Sequence, residues 1–175
     1  MLFSVQELEQ RKIRFEVTYP SGEIEYLVND LHQTGPLEAQ GEAELLPNTL
    51  GEIRVRGHVK VVMEADCDRC LEKAAFPIDS DFDLFYRPEK KPDHPGEEAA
   101  IDAGESEIGF YKGAGLQLED ILREHILLAM PMQRVCSETC QGICPVCGQN
   151  RNIAPCDCHP VIGDDQWAAL RRLQS

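Results

Sequence analysis

The chain lacks a long apolar run. Its longest nearly unbroken stretch, Ile126 to Met132, holds seven residues and contains Pro131, against the roughly 20 needed to cross a bilayer. No membrane span or membrane partner is expected. Met1 to Arg14 mixes charged and apolar side chains and has no apolar leader segment, so a cytoplasmic protein is expected. Positive charge is scarce as well. Lys and Arg number 17 against 31 Asp and Glu, a formal net charge of −14, and a chain held to nucleic acid by charge alone would carry the opposite sign.

Catalytic signatures are also missing. No Gly-x-Ser-x-Gly elbow, Walker loop or dinucleotide fingerprint occurs. His32, His58, His94, His125 and His159 show no paired spacing such as His-Glu-x-x-His and are expected on the surface or in loops. Neither enzymatic activity nor a small-molecule substrate is expected, and no residue is assigned a catalytic role.

What is present fits one ordinary domain with a small appended module: 175 residues, 42% of them apolar and 27% charged. The expected division is a β-rich core over residues 1–131, with a flexible acidic loop at 88–107, followed by a cysteine-rich tail over 132–175. Within the core, Ile13 to Tyr19 and Glu23 to Val28 flank Tyr19-Pro20-Ser21-Gly22, a turn-forming sequence that suggests a hairpin. A second hairpin is better defined. If Leu37 to Leu45 pairs antiparallel with Ile53 to Val61 so that paired numbers sum to about 98, one face is apolar throughout. The other face then sets Glu38 against Lys60, Gln40 against His58, Glu42 against Arg56 and Glu44 against Arg54.

Phe76, Ile78, Ser80, Phe82, Leu84 and Tyr86 alternate with Asp79, Asp81 and Asp83, which reads as another half-buried strand. Residues 88–107 are rich in acids, Pro and Gly and bury too little to order themselves. Leu116 to Met130 carries a broad helical apolar stripe stopped by Pro131. Asp164 to Leu173 reads as a short C-terminal helix, acidic at its start and basic at its end. The fold class expected is mainly β (α+β): an antiparallel curved sheet or barrel, a covering helix, and a zinc-knuckle tail.

The chemistry lies in the cysteines. Cys136 and Cys140 precede Cys144-Pro-Val-Cys147-Gly148, and Cys156-Asp-Cys158 follows. A Cys-Pro-x-Cys-Gly turn aims backbone amides at its sulfurs, with the glycine permitting the backbone after the second ligand. Six tail cysteines exceed the four that one tetrahedral zinc accepts, and Cys67-Asp-Arg-Cys70 lies upstream. The economical partition gives one zinc Cys67, Cys70, Cys136 and Cys140, and a second zinc Cys144, Cys147, Cys156 and Cys158. A single zinc with ligands chosen differently is the alternative. Four thiolates close every coordination position, as a structural rather than catalytic metal requires. Read otherwise, Cys67 and Cys70 would form the redox pair of a thiol oxidoreductase or a redox-regulated zinc switch, but the sequence after them leads into a strand and not the helix such a motif uses.

Arg54, Arg56, His58 and Lys60 form a stripe that could follow a phosphate backbone, or be neutralised across the hairpin by Glu44, Glu42 and Glu38.

Cys67-Asp-Arg-Cys70-Leu71, the helix ending in Ala129-Met130-Pro131, and Cys140-Gln-Gly-Ile-Cys144-Pro-Val-Cys147-Gly-Gln-Asn-Arg-Asn152 with Cys156-Asp-Cys158 together resemble the YceD-like family of bacteria and chloroplasts. The likeness runs from about Leu37 to Leu173. It implies a non-enzymatic factor for accumulation or maturation of large-subunit ribosomal RNA, partnered by that RNA or a ribosomal protein. Candidate RNA contacts are then Arg54, Arg56 and Lys60, with Arg151, Arg171 and Arg172. Two departures from the family pattern, Arg151 between the asparagines and Asp164-Asp165-Gln166, fall on the tail's contact surface.

Overall fold

A computed structural model describes residues 1–28, 30–89 and 108–158. Its elements, in chain order, are β1 (Leu2–Ser4), α1 (Val5–Leu8), β2 (Ile13–Tyr19), β3 (His32–Gln33), β4 (Leu37–Leu45), β5 (Ile53–Asp66), β6 (Lys73–Pro88), β7 (Ile108–Tyr111), β8 (Gly115–Gln117) and α2 (Leu118–Ala129). Among the described residues no helix is long and apolar enough to cross a membrane. The chain divides into two compact units. One comprises Met1–Ala65 and Ala74–Met132; the other comprises Asp66–Lys73 and the chain from Gln133 onward.

The first unit is mainly β. Its principal sheet has the order β2-β4-β5-β6-β7, with β3 also paired to β5. The β4–β5 hairpin has the register its two faces require: Ala39 opposite Val59, Gly41 opposite Gly57, Ala43 opposite Val55, and Leu45 opposite Ile53. The pairing is decided by burial, since a slip of one residue would turn the apolar row to solvent. Missing side chains at the Gly41–Gly57 pair also matter, because a Cβ at either position would collide with the opposite backbone and with the Phe15 or Phe82 ring.

Three expectations are corrected. Glu23 to Val28 is not a strand; β2 pairs with β4 instead, Tyr19 opposite Leu37, while Ile24 and Tyr26 enter the core from irregular chain. The hydrophobic pattern there reported burial, and burial does not require a strand. The sheet is not a closed barrel, since the strand order ends at β2 and β7. Nor is it wholly antiparallel: β7 joins β6 in parallel, Phe85 opposite Ile108.

Helix α2 covers the core. Leu118, Ile121, Leu122 and Ile126 are buried with Val55, Val59, Phe82 and Tyr86 in one cluster, and truncating such a side chain to Ala costs about 2–5 kcal/mol. The helix begins two residues later than its stripe suggests, because Leu116 pairs with Phe3 in the small β1–β8 sheet. It ends at Ala129, just before Pro131. The Tyr19 hydroxyl donates to Glu119 at 2.9 Å, and His125 meets the Ser80 hydroxyl at 3.0 Å. His125 is therefore half-buried on a helix rather than in a loop, and burial holds its pKa below the ordinary value. Most of the expected acidic loop (90–107) and the expected C-terminal helix lie outside the described residues.

Candidate metal centres

Strands β5 and β6 are long, and their connecting tip, Cys67-Asp-Arg-Cys70, belongs to the second unit. The Cys67 amide donates to the Glu72 carbonyl at 2.9 Å and the Leu71 amide to the Cys67 carbonyl at 2.9 Å, closing a tight knuckle. Asp68 captures the incoming tail. Its amide donates to the Arg134 carbonyl at 2.7 Å, its carboxylate accepts the Arg134 amide at 2.7 Å, and the two side chains pair at 3.5 Å. That exchange delivers Cys136 and Cys140 to the knuckle.

The eight cysteines assemble in two groups of four, Cys67 with Cys70, Cys136 and Cys140, and Cys144 with Cys147, Cys156 and Cys158. Within each group all sulfurs lie within 4.8 Å of one another, and all eight are free thiols. Cys67 Sγ is 3.9 Å from Cys140 Sγ and Cys70 Sγ is 3.7 Å from Cys136 Sγ. A disulfide would require about 2.05 Å. Four sulfurs at about 2.3 Å from a tetrahedral zinc stand about 3.8 Å apart, so the spacing suits a metal and not a cystine.

Electrostatics agree with the spacing. Burial opposes ionisation of Cys67, yet the amides of Cys136, Arg69 and Cys70 outweigh it and bring the thiol down to about 6. Amides of Cys147 and Val146 bring Cys144 to about 6 despite its burial. One member of each group resists: Cys140 pushes Cys136 up to about 12, and Cys147 does the same to Cys158. Each group thus sets a thiol brought down to about 6 against one pushed up by a neighbouring sulfur, a contrast that a cation among the sulfurs would relieve.

The second knuckle repeats the first. Gly148 donates its amide to the Cys144 carbonyl at 2.9 Å and has φ of +74°. Leu71 occupies the corresponding position after Cys70 with φ of +62°, a conformation that costs a side-chain-bearing residue about 1–2 kcal/mol. The Ile143 amide ties the tail to the first knuckle by donating to the Arg69 carbonyl at 2.8 Å, and the Arg151 amide closes the tail on itself by donating to the Gly142 carbonyl at 2.9 Å.

The sequence pattern anticipates the two cysteine groups but not the side chains that support them. Asn152 donates its side-chain amide to Cys140 Sγ at 3.3 Å, and Asn150 donates to Glu72 at 3.3 Å. Asp68 follows Cys67 directly, but its partner Arg134 is remote in sequence, and Asn150 and Asn152 have no cysteine next to them. Of the candidate RNA contacts, Arg151 reaches Cys144 Sγ at 3.7 Å. In the first unit Arg54 donates to Asp83 at 2.8 and 2.5 Å, Arg56 pairs with Glu42, and Lys60 lies 3.9 Å from Asp79. His58 sits 3.0 Å from Asp79 and 2.9 Å from Asp81. The stripe is thus neutralised from β6 as well as β4. Arg171 and Arg172 lie outside the described residues.

The family model for the large ribosomal RNA subunit accumulation protein YceD matches residues 55–174. An uncharacterized protein of Mycobacterium tuberculosis is 29% identical over 119 residues, covering 67% of this chain and 54% of its own length. A chloroplastic large ribosomal RNA subunit accumulation protein YCED homolog of Arabidopsis thaliana is 26% identical over 143 residues, covering 70% of this chain and 44% of its own. The maize homolog is 25% identical, over 63% and 45% respectively. The chain spans about half the length of these relatives, and no solved structure matches it. With the family pattern extending from β5 through both cysteine groups, the chain belongs to the YceD family of large ribosomal RNA subunit accumulation proteins.

Proposed function

We propose that the protein is a non-enzymatic, cytoplasmic factor in large ribosomal subunit biogenesis whose second unit is folded around two structural zinc ions. Family membership carries the ribosomal reading. The donor sets support the metal reading, since each group supplies four thiolates and leaves no coordination position for water or substrate. When bound, zinc contributes folding free energy to a segment that has little apolar core.

The charge balance favours a basic ribosomal protein over RNA as the direct partner. The Arg54–Lys60 stripe is already paired with acids, and a zinc on four thiolates adds net negative charge. RNA contact through Arg151, Arg171 and Arg172 is the subordinate reading. Sedimentation of the tagged protein from lysate, at low and moderate salt, tests the proposal. Co-migration with large-subunit precursors, with ribosomal protein or RNA recovered on the tagged chain, is expected; a protein that stays at the top of the gradient with neither attached would remove the ribosomal role.

A further inference from the structure

The two knuckles differ at one residue that their shared geometry singles out. Both place the residue after the second cysteine in the left-handed region, with the same amide-to-carbonyl closure. In the second knuckle that residue is Gly148, the natural occupant. In the first it is Leu71, whose side chain is 62% exposed and absent from both buried clusters of the fold. A strained backbone that carries an apolar side chain into solvent gains nothing for folding. Strain retained in this way is characteristic of contact sites.

The same unit carries other exposed apolar side chains. Ile143, whose amide holds the Arg69 carbonyl, is partly exposed, and Val146 and Ile153 are 56% and 73% exposed. The flanking charge is acidic. Glu72, next to Leu71, accepts the Asn150 amide and forms no ion pair with any cation among the described residues. The chain as a whole is strongly acidic.

We infer that Leu71 is the anchor of a protein-docking surface on the first knuckle, inserting into an apolar pocket of a basic ribosomal protein while Glu72 meets a cation at the rim. The inference rests on the ribosomal reading above and deepens it by naming the contact. Apolar anchors ringed by charge concentrate the energy of an interface in a few side chains, and opposite charge speeds the encounter.

The test uses the zinc-loaded full chain, Leu71→Gly and Leu71→Met. The probes are proteins extracted from large ribosomal subunits and, separately, protein-free large-subunit ribosomal RNA. Leu71→Gly relieves the backbone and removes the anchor, so its metal content and melting midpoint should equal or exceed the parent's while binding to a basic ribosomal protein falls by about tenfold or more. Leu71→Met keeps the apolar reach and should retain binding. Photo-leucine at position 71 should crosslink to that protein. If Leu71→Gly binds as the parent does, the inference fails while the ribosomal reading stands. Loss of zinc or a lower midpoint in Leu71→Gly would assign Leu71 a structural role and overturn it too, as would parent binding to RNA only. A parent that binds neither probe would sink the inference together with the proposed function.

Discussion

Asn152 donates its side-chain amide to Cys140 Sγ at 3.3 Å while its carbonyl oxygen accepts the Gln141 amide at 2.8 Å. One side chain thus fixes the backbone just after Cys140 and favours its thiolate, lowering the Cys140 pKa. Outer groups of this kind are typically worth 10- to 100-fold in metal affinity, a range of about 10–100. Asn152→Ala should lose zinc to a competing chelator at correspondingly lower chelator concentration. Asn152→Asp, which sets a carboxylate against the thiolate, should lose it sooner still.

Gly142 and Gly148 both have positive φ, but only one is crowded. A Cβ on Gly142 would lie 2.8 Å from the Arg69 carbonyl oxygen, whereas nothing lies within 4 Å of one on Gly148. Gly148→Ala should therefore cost only the left-handed penalty of about 1–2 kcal/mol. Gly142→Ala must in addition displace backbone, so it should cost more and open the Ile143 to Arg69 hydrogen bond. Amide exchange at Ile143 would report this, and equal midpoints for the two variants would show that the two knuckles are not held together at Gly142.

The β4–β5 register was legible because each face gave the same answer independently: Ala43 with Val55 inside, Glu42 with Arg56 outside. The grouping of the cysteines was legible because eight of them divide into two fours with one knuckle in each. What the sequence could not disclose were features decided by neighbours distant along the chain. Ile24 and Tyr26 alternate like a strand but are buried as loop, and β2 pairs with β4 rather than with them. The acidic row on β6 was read as the outside of a strand, and its pairing with Arg54 and His58 follows from sheet order, which local patterning does not encode. Asp68 and Asn152 act through groups 66 and 12 residues away, beyond any local motif.

Metal removal should separate the two units. Each chain should bind two zinc ions, and Cys67→Ser and Cys144→Ser should each reduce the count to one. Chelation should raise amide exchange at 66–73 and 133–158 while Val55 and Val59, in the centre of the first core, keep their protection. Native thiols should react slowly, releasing zinc as they do. Two fast thiols at Cys67 and Cys70 with no metal released would instead favour the oxidoreductase reading.

The stripe on β5 should impose a measurable pH dependence on the first unit. Arg54 holds the Asp83 carboxyl below its usual range, and Arg56 does the same to Glu42. A carboxyl depressed in the folded state binds its proton more tightly when unfolded. Its contribution is therefore fully present above the unfolded value, about 4, and is lost as pH falls through the folded one. Asp83 is too exposed for the effect to be large. Comparing the parent with Asp83→Asn cancels the acid release of zinc, which both proteins share. The parent's melting midpoint should exceed the variant's at pH 6 to 7, the gap should narrow as pH drops through about 4, and it should close only below the depressed folded value, where Asp83 is protonated in both states. The same gap should shrink at high salt, because the pair is open to solvent. A gap independent of pH would assign Asp83 to packing against β5 and leave Arg54 free to meet an anionic partner.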